Sequence, residues 1–406
     1  MIEWSDTDLA VREAVRAFVD KEVRPHQDAL EHGDMAPYPI IRRLFEAFGV
    51  DALATDAYNK IISASGRDSG SKGKDGAGSG AEQASLAMIA VAEICRVSMG
   101  LVATAGVSIG LAAGTIISRG TPEQKERWLL PLLTFEKVGA WAITEPDSGS
   151  DAFGGMKSTV TPNGDGYRLS GQKTFITNGP DADTLIVYAK LNDGSDTPVR
   201  RRPVLTFVLD SGMEGLTQSK PLRKMGLHSS RTGELFFDNV HLGPERLLGA
   251  ADGQDGRDSA KANFTLERVG VGAMALGIIE ECLRLSVDYA GTRELWGQKI
   301  GEFQLIQLKL ADMETARINV QNMVFRAIEQ FRAGAQPTLA EASAVKRYCS
   351  QAATEVAMEA VQLFGGNGYM AEYRVEQLAR DAKSLMIYAG SNEIQITHIA
   401  KGLLRN

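Results

Sequence analysis

Glu267 lies in the run FTLERVGVGAM, and three, four and seven residues further on stand Gly270, Val271 and Met274. On a helix those spacings put small or apolar groups on one stripe with the carboxylate. A glutamate facing such a stripe is a candidate general base, because burial disfavours its charged form and strengthens it as a proton acceptor. The plainer reading makes Thr265 an N-cap and Glu267 a first-turn acid favoured by the helix dipole.

Three other stretches carry groups that could hold a ligand. AWAITEPDSGSD (140–151) leaves a strand for a Ser/Gly-rich turn, whose N–H groups and hydroxyls could grip an anion or the polar edge of a heterocycle. It could equally be a β-turn with capping side chains. FGGNGY (364–369) ends a helix with glycines that permit positive φ and close approach by a ligand, or that serve only as a C-cap. No strand precedes it and it has no GxGxxG, so it is not a dinucleotide fingerprint. TRELWGQKIGEFQ (292–304) sets Arg293 and Gln304 about a turn between two long helical runs, where Arg293 is either a ligand group or a solvated helix end.

The elements that must position these residues follow a change of rhythm. From Asp6 to about Phe135 the apolar spacing is helical, as in VREAVRAFVDKEV. IIRRLFEAFGV ends on a glycine suited to a C-cap, and TPEQKERWLLPLL begins with Thr121 as N-cap and Pro122 in the first turn. The stretch 63–81 (SASGRDSGSKGKDGAGSGA) has almost no apolar content and reads as a mobile surface insertion. From Val138 to about Leu248 the period becomes two: YRLSG, TLIVYAK, PVLTFVLD and ELFFDNVHL alternate with turn clusters, which predicts a small β-barrel or sandwich. From Asn263 three long amphipathic segments predict an antiparallel bundle. No internal repeat is visible.

Composition narrows the function. With 406 residues, 44% hydrophobic and 23% charged, the chain can build a sizeable core, as one large subunit or in two or three domains. A formal net charge of −7 argues against nucleic acid as partner. The basic triplet Arg200, Arg201 and Arg202 reads as a solvated loop. Cys95, Cys282 and Cys349 lie far apart, without a CxxC, so neither a disulfide framework nor a metal site is expected. The N-terminus lacks signal- or transit-peptide character, which predicts a reducing, cytoplasmic setting. The uncharged run 97–118 is long enough to raise a membrane question, but its Ala, Gly, Ser and Thr content favours a buried packing helix.

In combination and in this order, EPDSGSD, KTFITNG, LERV, TRELWGQKIGEFQ, QLFGGNGY and YAGSNEIQ resemble the acyl-CoA dehydrogenase family of flavoproteins over nearly the whole chain. KTFITNGPDADTLIVYAK is most similar to the isovaleryl-CoA branch. The resemblance implies a mainly α protein with a β domain: an N-terminal helical domain at 1–137, a β-barrel at 138–248 and a C-terminal four-helix bundle at 249–406. It also implies FAD, held by Trp141, Ala142, Ile143, Thr144, Gly149, Ser150, Phe175, Ile176 and Thr177. Phe175 stands where the family more often has Trp; it can cover a ring but offers no indole N–H. Arg293, Phe303, Gln304, Gln362, Leu363, Gly365 and Gly366 match positions that hold the FAD of a neighbouring subunit, so a homo-oligomer, usually a tetramer, is implied. Ser391, Asn392 and Glu393 match residues that complete the site. Ser150, Thr265, Arg268, Ala389 and Gly390 match the substrate side, no metal is expected, and an electron-transferring flavoprotein is the implied acceptor.

The implied reaction removes a proton α to a thioester and passes the β hydride to flavin N5. Many family members carry the base as a Glu where this chain has Ala389, and an alanine cannot take a proton. In the isovaleryl- and long-chain-type branches the base comes instead from the position matching Glu267. The resemblance therefore selects Glu267 over the first-turn reading. Two rivals remain within the same fold: a flavin monooxygenase, which has no need of an α-proton base, and a non-catalytic flavoprotein with a binding role. Branched short-chain acyl groups lead as substrate, with longer chains and carrier-protein thioesters open.

Overall fold

A computed structural model describes residues 4–33, 35–65, 77–249 and 254–404. Its helices are α1 Asp6–Phe18, α2 Gln27–Glu31, α3 Tyr38–Ala47, α4 Val50–Ser65, α5 Ala77–Cys95, α6 Met99–Ala105, α7 Gly114–Arg119 and α8 Pro122–Leu133. After the strands come α9 Gln254–Thr292, α10 Gln304–Arg332, α11 Leu339–Phe364, α12 Val375–Ser384 and α13 Asn392–Leu403. Capping boxes start three of them: Ser5 with Asp8, Thr121 with Gln124, and Thr338 with Glu341. Each satisfies backbone N–H groups that a helix start leaves open. The expected surface insertion is narrower than 63–81, since α4 runs to Ser65 and α5 begins at Ala77; its remaining residues, 66–76, lie outside the described chain.

The strands are β1 Gly139–Ala142, β2 Thr159–Asn163, β3 Gly166–Thr177, β4 Thr184–Leu191, β5 Val204–Asp210, β6 Leu216–Gln218 and β7 Thr232–Leu242, with a small hairpin of β8 Glu294–Leu295 and β9 Gln298–Lys299. β1–β7 form one curled sheet rather than a set of hairpins. β4 pairs antiparallel with β5 on one edge, and on the other runs parallel first to β1 and then to β2. β3 joins β2 to β7, and β6 closes the path.

β4 is buried on both faces, which explains its unbroken run TLIVYAKL. Ile186 and Tyr188 point to a core shared with Leu111, Ala112, Trp128 and Trp141. Leu185, Val187 and Ala189 point to the sheet's own interior with Val160, Leu169, Leu235 and Val240. Each fully buried Leu, Ile or Val here contributes about 1.5–3 kcal/mol relative to exposure.

The helical layer on the first face includes Met99–Arg119, a span long and apolar enough to cross a membrane by length and composition, with 50% of its most apolar window buried. It packs on β1: Ser108 Oγ accepts the Gly139 N–H at 2.8 Å, and a Cβ on Gly139 would lie 2.8 Å from that of Ala112. The third core gathers α9 with α5, α10 and α11, and the three cysteines are buried there as free thiols.

Candidate active site

A bulge in β3 builds one wall of the site. Pairing with β7 slips between Lys173 and Ile176, and Phe175 takes φ +58° while its neighbours Thr174 and Ile176 are buried. A bulky side chain in that region of backbone space is strained and needs outside support. The support comes from the loop after β1. Thr174 N donates to Thr144 O at 2.9 Å, and Thr144 Oγ1 donates back to Thr174 O at 2.6 Å. Lys173, fully buried, donates to Ile143 O and to Glu145 Oε1 at 2.8 Å, while Glu145 also accepts Lys157 N and Ser158 N. The Phe175 ring is left 70% exposed beside Thr144. Re-aiming one side chain in this way is what bulges do.

The opposite wall is α9. Phe264 meets Trp141 edge-on at 5.8 Å, which brings the helix against β1. One turn later stand Glu267 and Arg268. The helix begins at Gln254, so Thr265 is interior and half-buried, and the first-turn reading of Glu267 does not hold. Burial pushes the Glu267 carboxyl up to about 7, against the pull of Arg268 and Lys346. No hydrogen bond or ion pair to Glu267 is found among the described residues. Arg268 turns the other way: its Nη1 donates to Ser343 Oγ at 3.2 Å, its Nε makes a long 3.5 Å contact to Ala389 O, and its guanidinium lies 5.7 Å from the Phe264 ring centre.

Ala389 and Gly390 close this corner with φ of +56° and +81°. Gln395, buried in α13, donates through Nε2 to Gly390 O at 2.6 Å and Ala389 O at 3.2 Å. A Cβ at 390 would stand 2.7 Å from that nitrogen and 3.4 Å from Arg268 Nη2, and the φ of +81° strains any residue with a Cβ there. Behind the corner, fully buried Lys346 donates to Asn392 Oδ1 at 2.9 Å, which also accepts Ser350 Oγ at 3.1 Å. Tyr388 Oη points to Met274 Sδ at 3.6 Å.

Not every expected residue presents its side chain here. Trp141, Ala142, Ile143, Ile176 and Leu363 bury theirs in the cores and can offer a ligand only backbone. The carboxamide oxygen of Asn392 is taken by Lys346 and Ser350, whereas Ser391 is half-buried and Glu393 exposed. Gly149 and Ser150 are exposed on the turn, and Thr177 is half-buried.

A second group lies elsewhere. Arg293 follows Glu267 by about 39 Å of helix rise. At that end Tyr289 stacks on Phe364 at 4.1 Å, bringing Gln362, Gly365 and Gly366 towards Arg293, Phe303 and Gln304. Gln362, Gly365, Gly366, Arg293 and Gln304 are exposed, and Gly365 has φ +60° with open space where a Cβ would be. One chain thus keeps its expected FAD residues in two groups, one beside the first half of α9 and one just past its C-terminal end. The exposed Phe175 plate with a hydroxyl and backbone edge, and the open glycine cradle, fit a planar heterocycle and a phosphate respectively.

Lys346, Gln395, Phe264 and Tyr388 were not among the expected site residues. Lys346 carried a readable signal: Ala342, Ser343, Cys349 and Ser350 flank it at helical spacing, so a lysine stands on a small, buried stripe. The Phe264–Trp141 contact carried none.

Comparison with known proteins identifies the family. Family models for the acyl-CoA dehydrogenase N-terminal, middle and C-terminal domains match residues 73–136, 140–240 and 254–404. The chain is 36% identical to an acyl-CoA dehydrogenase of Bacillus subtilis over 98% of its length and 97% of the relative's. It is similar to the solved butyryl-CoA dehydrogenase of Megasphaera elsdenii, at TM-score 0.84 and 33% identity over 99% of both chains. It is also similar, at TM-score 0.85 and 32% identity over 100% of this chain and 99% of the other, to a chain solved in work on the electron transferring flavoprotein of Acidaminococcus fermentans. Relatives named for short-chain, 2-methylacyl- and isovaleryl-CoA substrates all match, so the isovaleryl branch is one among several. The chain belongs to the acyl-CoA dehydrogenase family of FAD-dependent oxidoreductases.

Proposed function

We propose that this chain desaturates an acyl-CoA thioester between its α and β carbons, with Glu267 as the base that takes the α proton. The observation that carries the reading is the Glu267 carboxyl: it stands mid-helix beside the β1 wall, raised to about 7, with no hydrogen-bond or ion-pair partner among the described residues. A base near neutrality is well matched to a weakly acidic C–H. Ala389 contributes by being small, leaving space beside Gly390 for a carboxylate from α9 to reach the same carbon. Arg268 and Gln395 fix the 389–390 backbone that borders that space. Bound FAD would supply the acceptor for the β hydride, with Phe175 against its ring and Thr144 and Ser150 at its edge.

Branched short-chain acyl groups remain the leading substrate, supported by the helix-borne base and the similarity of 173–190 to the isovaleryl branch. An electron-transferring flavoprotein is the proposed acceptor, since a relative of similar fold was solved in that context. We assign the domains to 1–137, 138–248 and 249–406, and the setting to the cytoplasm. A homo-oligomer, a tetramer by family habit, is supported by the two separated groups of FAD residues and by exposed Leu305, Leu308 and Met358 on α10 and α11. The family match does not favour the monooxygenase or binding readings.

The test is Glu267→Gln. It should keep FAD, seen in the flavin spectrum, and lose anaerobic flavin reduction by acyl-CoA by several orders of magnitude. Unchanged reduction would put the base elsewhere. Screening thioesters by flavin bleaching then ranks the acyl chain.

A further inference from the structure

Lys173 and Glu145 form an ion pair inside the β domain, both side chains buried, with Nζ 2.8 Å from Oε1. Neither charge is left unmatched. Lys173 Nζ also donates to Ile143 O at 3.1 Å, while Glu145 Oε1 accepts Ser158 N at 2.9 Å and Oε2 accepts Lys157 N. The pair therefore ties three segments together: the loop after β1, the start of β2 and the middle of β3. A buried ion pair is costly to assemble, and apolar residues of the same volume often hold a core as firmly. Its use lies in where it fixes the chain.

Lys173 stands at the foot of the bulge. It is in register with β7 opposite Leu235, and pairing resumes only at Ile176 opposite Gly233. Thr174 and Phe175 thus face a single residue, Glu234, whose Oε1 accepts Gln172 Nε2 at 3.0 Å and Thr174 Oγ1 at 3.2 Å. Two residues against one turn the strand and re-aim a side chain. A strand free to slip by one position would turn each following side chain to its other face. Burial of Ile176 pins the far side of the bulge. On the near side, the hold on the β1 loop comes from Lys173 and from the paired hydrogen bonds of Thr174 with Thr144.

We propose that Lys173 and Glu145 are a positioning pair for the flavin: by tying β3 to the loop after β1 at the foot of the bulge, they turn the Phe175 ring outward to where it covers the isoalloxazine. This rests on the reading of Phe175 as the flavin's cover. Both side chains are buried beneath the wall, so the pair acts through Phe175.

The experiment is a double-variant cycle on holoenzymes, with the FAD dissociation constant read from flavin release on dilution. Phe175→Ala should weaken FAD binding by about tenfold. Lys173→Met keeps the length of the side chain and removes its charge, and it should weaken binding by about as much. With both changes together, binding should be no more than about twofold weaker than in Phe175→Ala, since the aim of an absent ring is immaterial. A pair that only supports the fold would act the same with or without the ring, giving about a hundredfold loss in the double variant, and that result overturns the proposal. Undiminished binding in Lys173→Met overturns it too.

If Lys173→Met does not fold, Glu145→Asp takes its place in the same cycle. It keeps the charge but draws the carboxylate back by one methylene, and the same outcomes decide. The flavin-cover reading fails separately, through undiminished FAD binding in Phe175→Ala alone, and takes the proposal with it.

Discussion

Glu267 and Glu281 ride on the same helix, fourteen positions and about 21 Å apart, and burial pushes both toward the neutral form. Their partners then part them. Glu281, fully buried, accepts from Arg284 Nη2 at 2.8 Å and Nε at 3.0 Å, from Arg96 Nη2 at 3.0 Å and from Arg24 Nη1 at 3.2 Å. Burial notwithstanding, those contacts draw its carboxyl down to about 2. Glu267 feels Arg268 and Lys346 only at a distance and stays near 7. The first is a fastener joining α9 to α5, the segment after α1, and its own next turn. The second is a group kept unfastened. The proposal that Glu267, rather than Glu281, serves as the base rests on this contrast in hydrogen-bonded cations.

That contrast can be broken most sharply by exchanging the two positions' fates. Glu267→Gln should remove flavin reduction by several orders of magnitude while leaving the unfolding midpoint nearly unchanged. Glu281→Gln should do the reverse, costing about 3 kcal/mol because three arginines lose a shared buried carboxylate, measured by denaturant unfolding, with flavin reduction retained in the folded fraction. A loss of reduction in Glu281→Gln comparable to that in Glu267→Gln would erase the distinction.

pH sharpens it next. Flavin reduction should rise with pH through about 7, as Glu267 ionises, and this rise should be absent from the residual rate of Glu267→Gln. For stability the signs oppose. Glu281 has a depressed folded value, so its contribution is present above about 4.5 and is lost as pH falls toward 2. Glu267 has a raised value, so its contribution is present below about 4.5 and is lost as pH rises through 7. Comparing acid unfolding of wild type with Glu281→Gln checks the first sign. The smallest expected effect lies on the other wall: Phe175→Ala should weaken FAD retention by about tenfold, read by flavin release on dilution, with little change in unfolding of the FAD-free chain.

Much of this was legible in the residues. Thr121 and Pro122 announced α8, and the period-two runs announced the sheet, whereas Glu267 as the base rests on the family resemblance and the alanine at 389 and stands as a proposal. What stayed hidden depends on contacts between distant segments. The start of α9 was hidden because 254–263 has no apolar period, which made Thr265 a plausible cap. The exposure of Phe175 follows from a register slip against β7, some sixty residues away in the chain, and local pattern does not encode that slip. Lys346 could be seen to be buried, but its link to Asn392 could not, since the two lie 46 residues apart. Parallel pairing of β4 with β1 and β2 was equally invisible, because runs of alternating residues look the same whichever neighbour they choose.

The uninterrupted course of α9 has one more implication. With no break between residues 267 and 281, the helix works as a ruler, and its graduation is angular as well as linear. Each residue turns the rod by about 100°. A single-residue deletion between the two acids would keep every cap, every propensity and nearly every apolar count, yet would swing one acid a quarter-turn or more out of aim while the other stayed anchored. A change of length there re-aims one acid against the other, whichever residues fill the stretch.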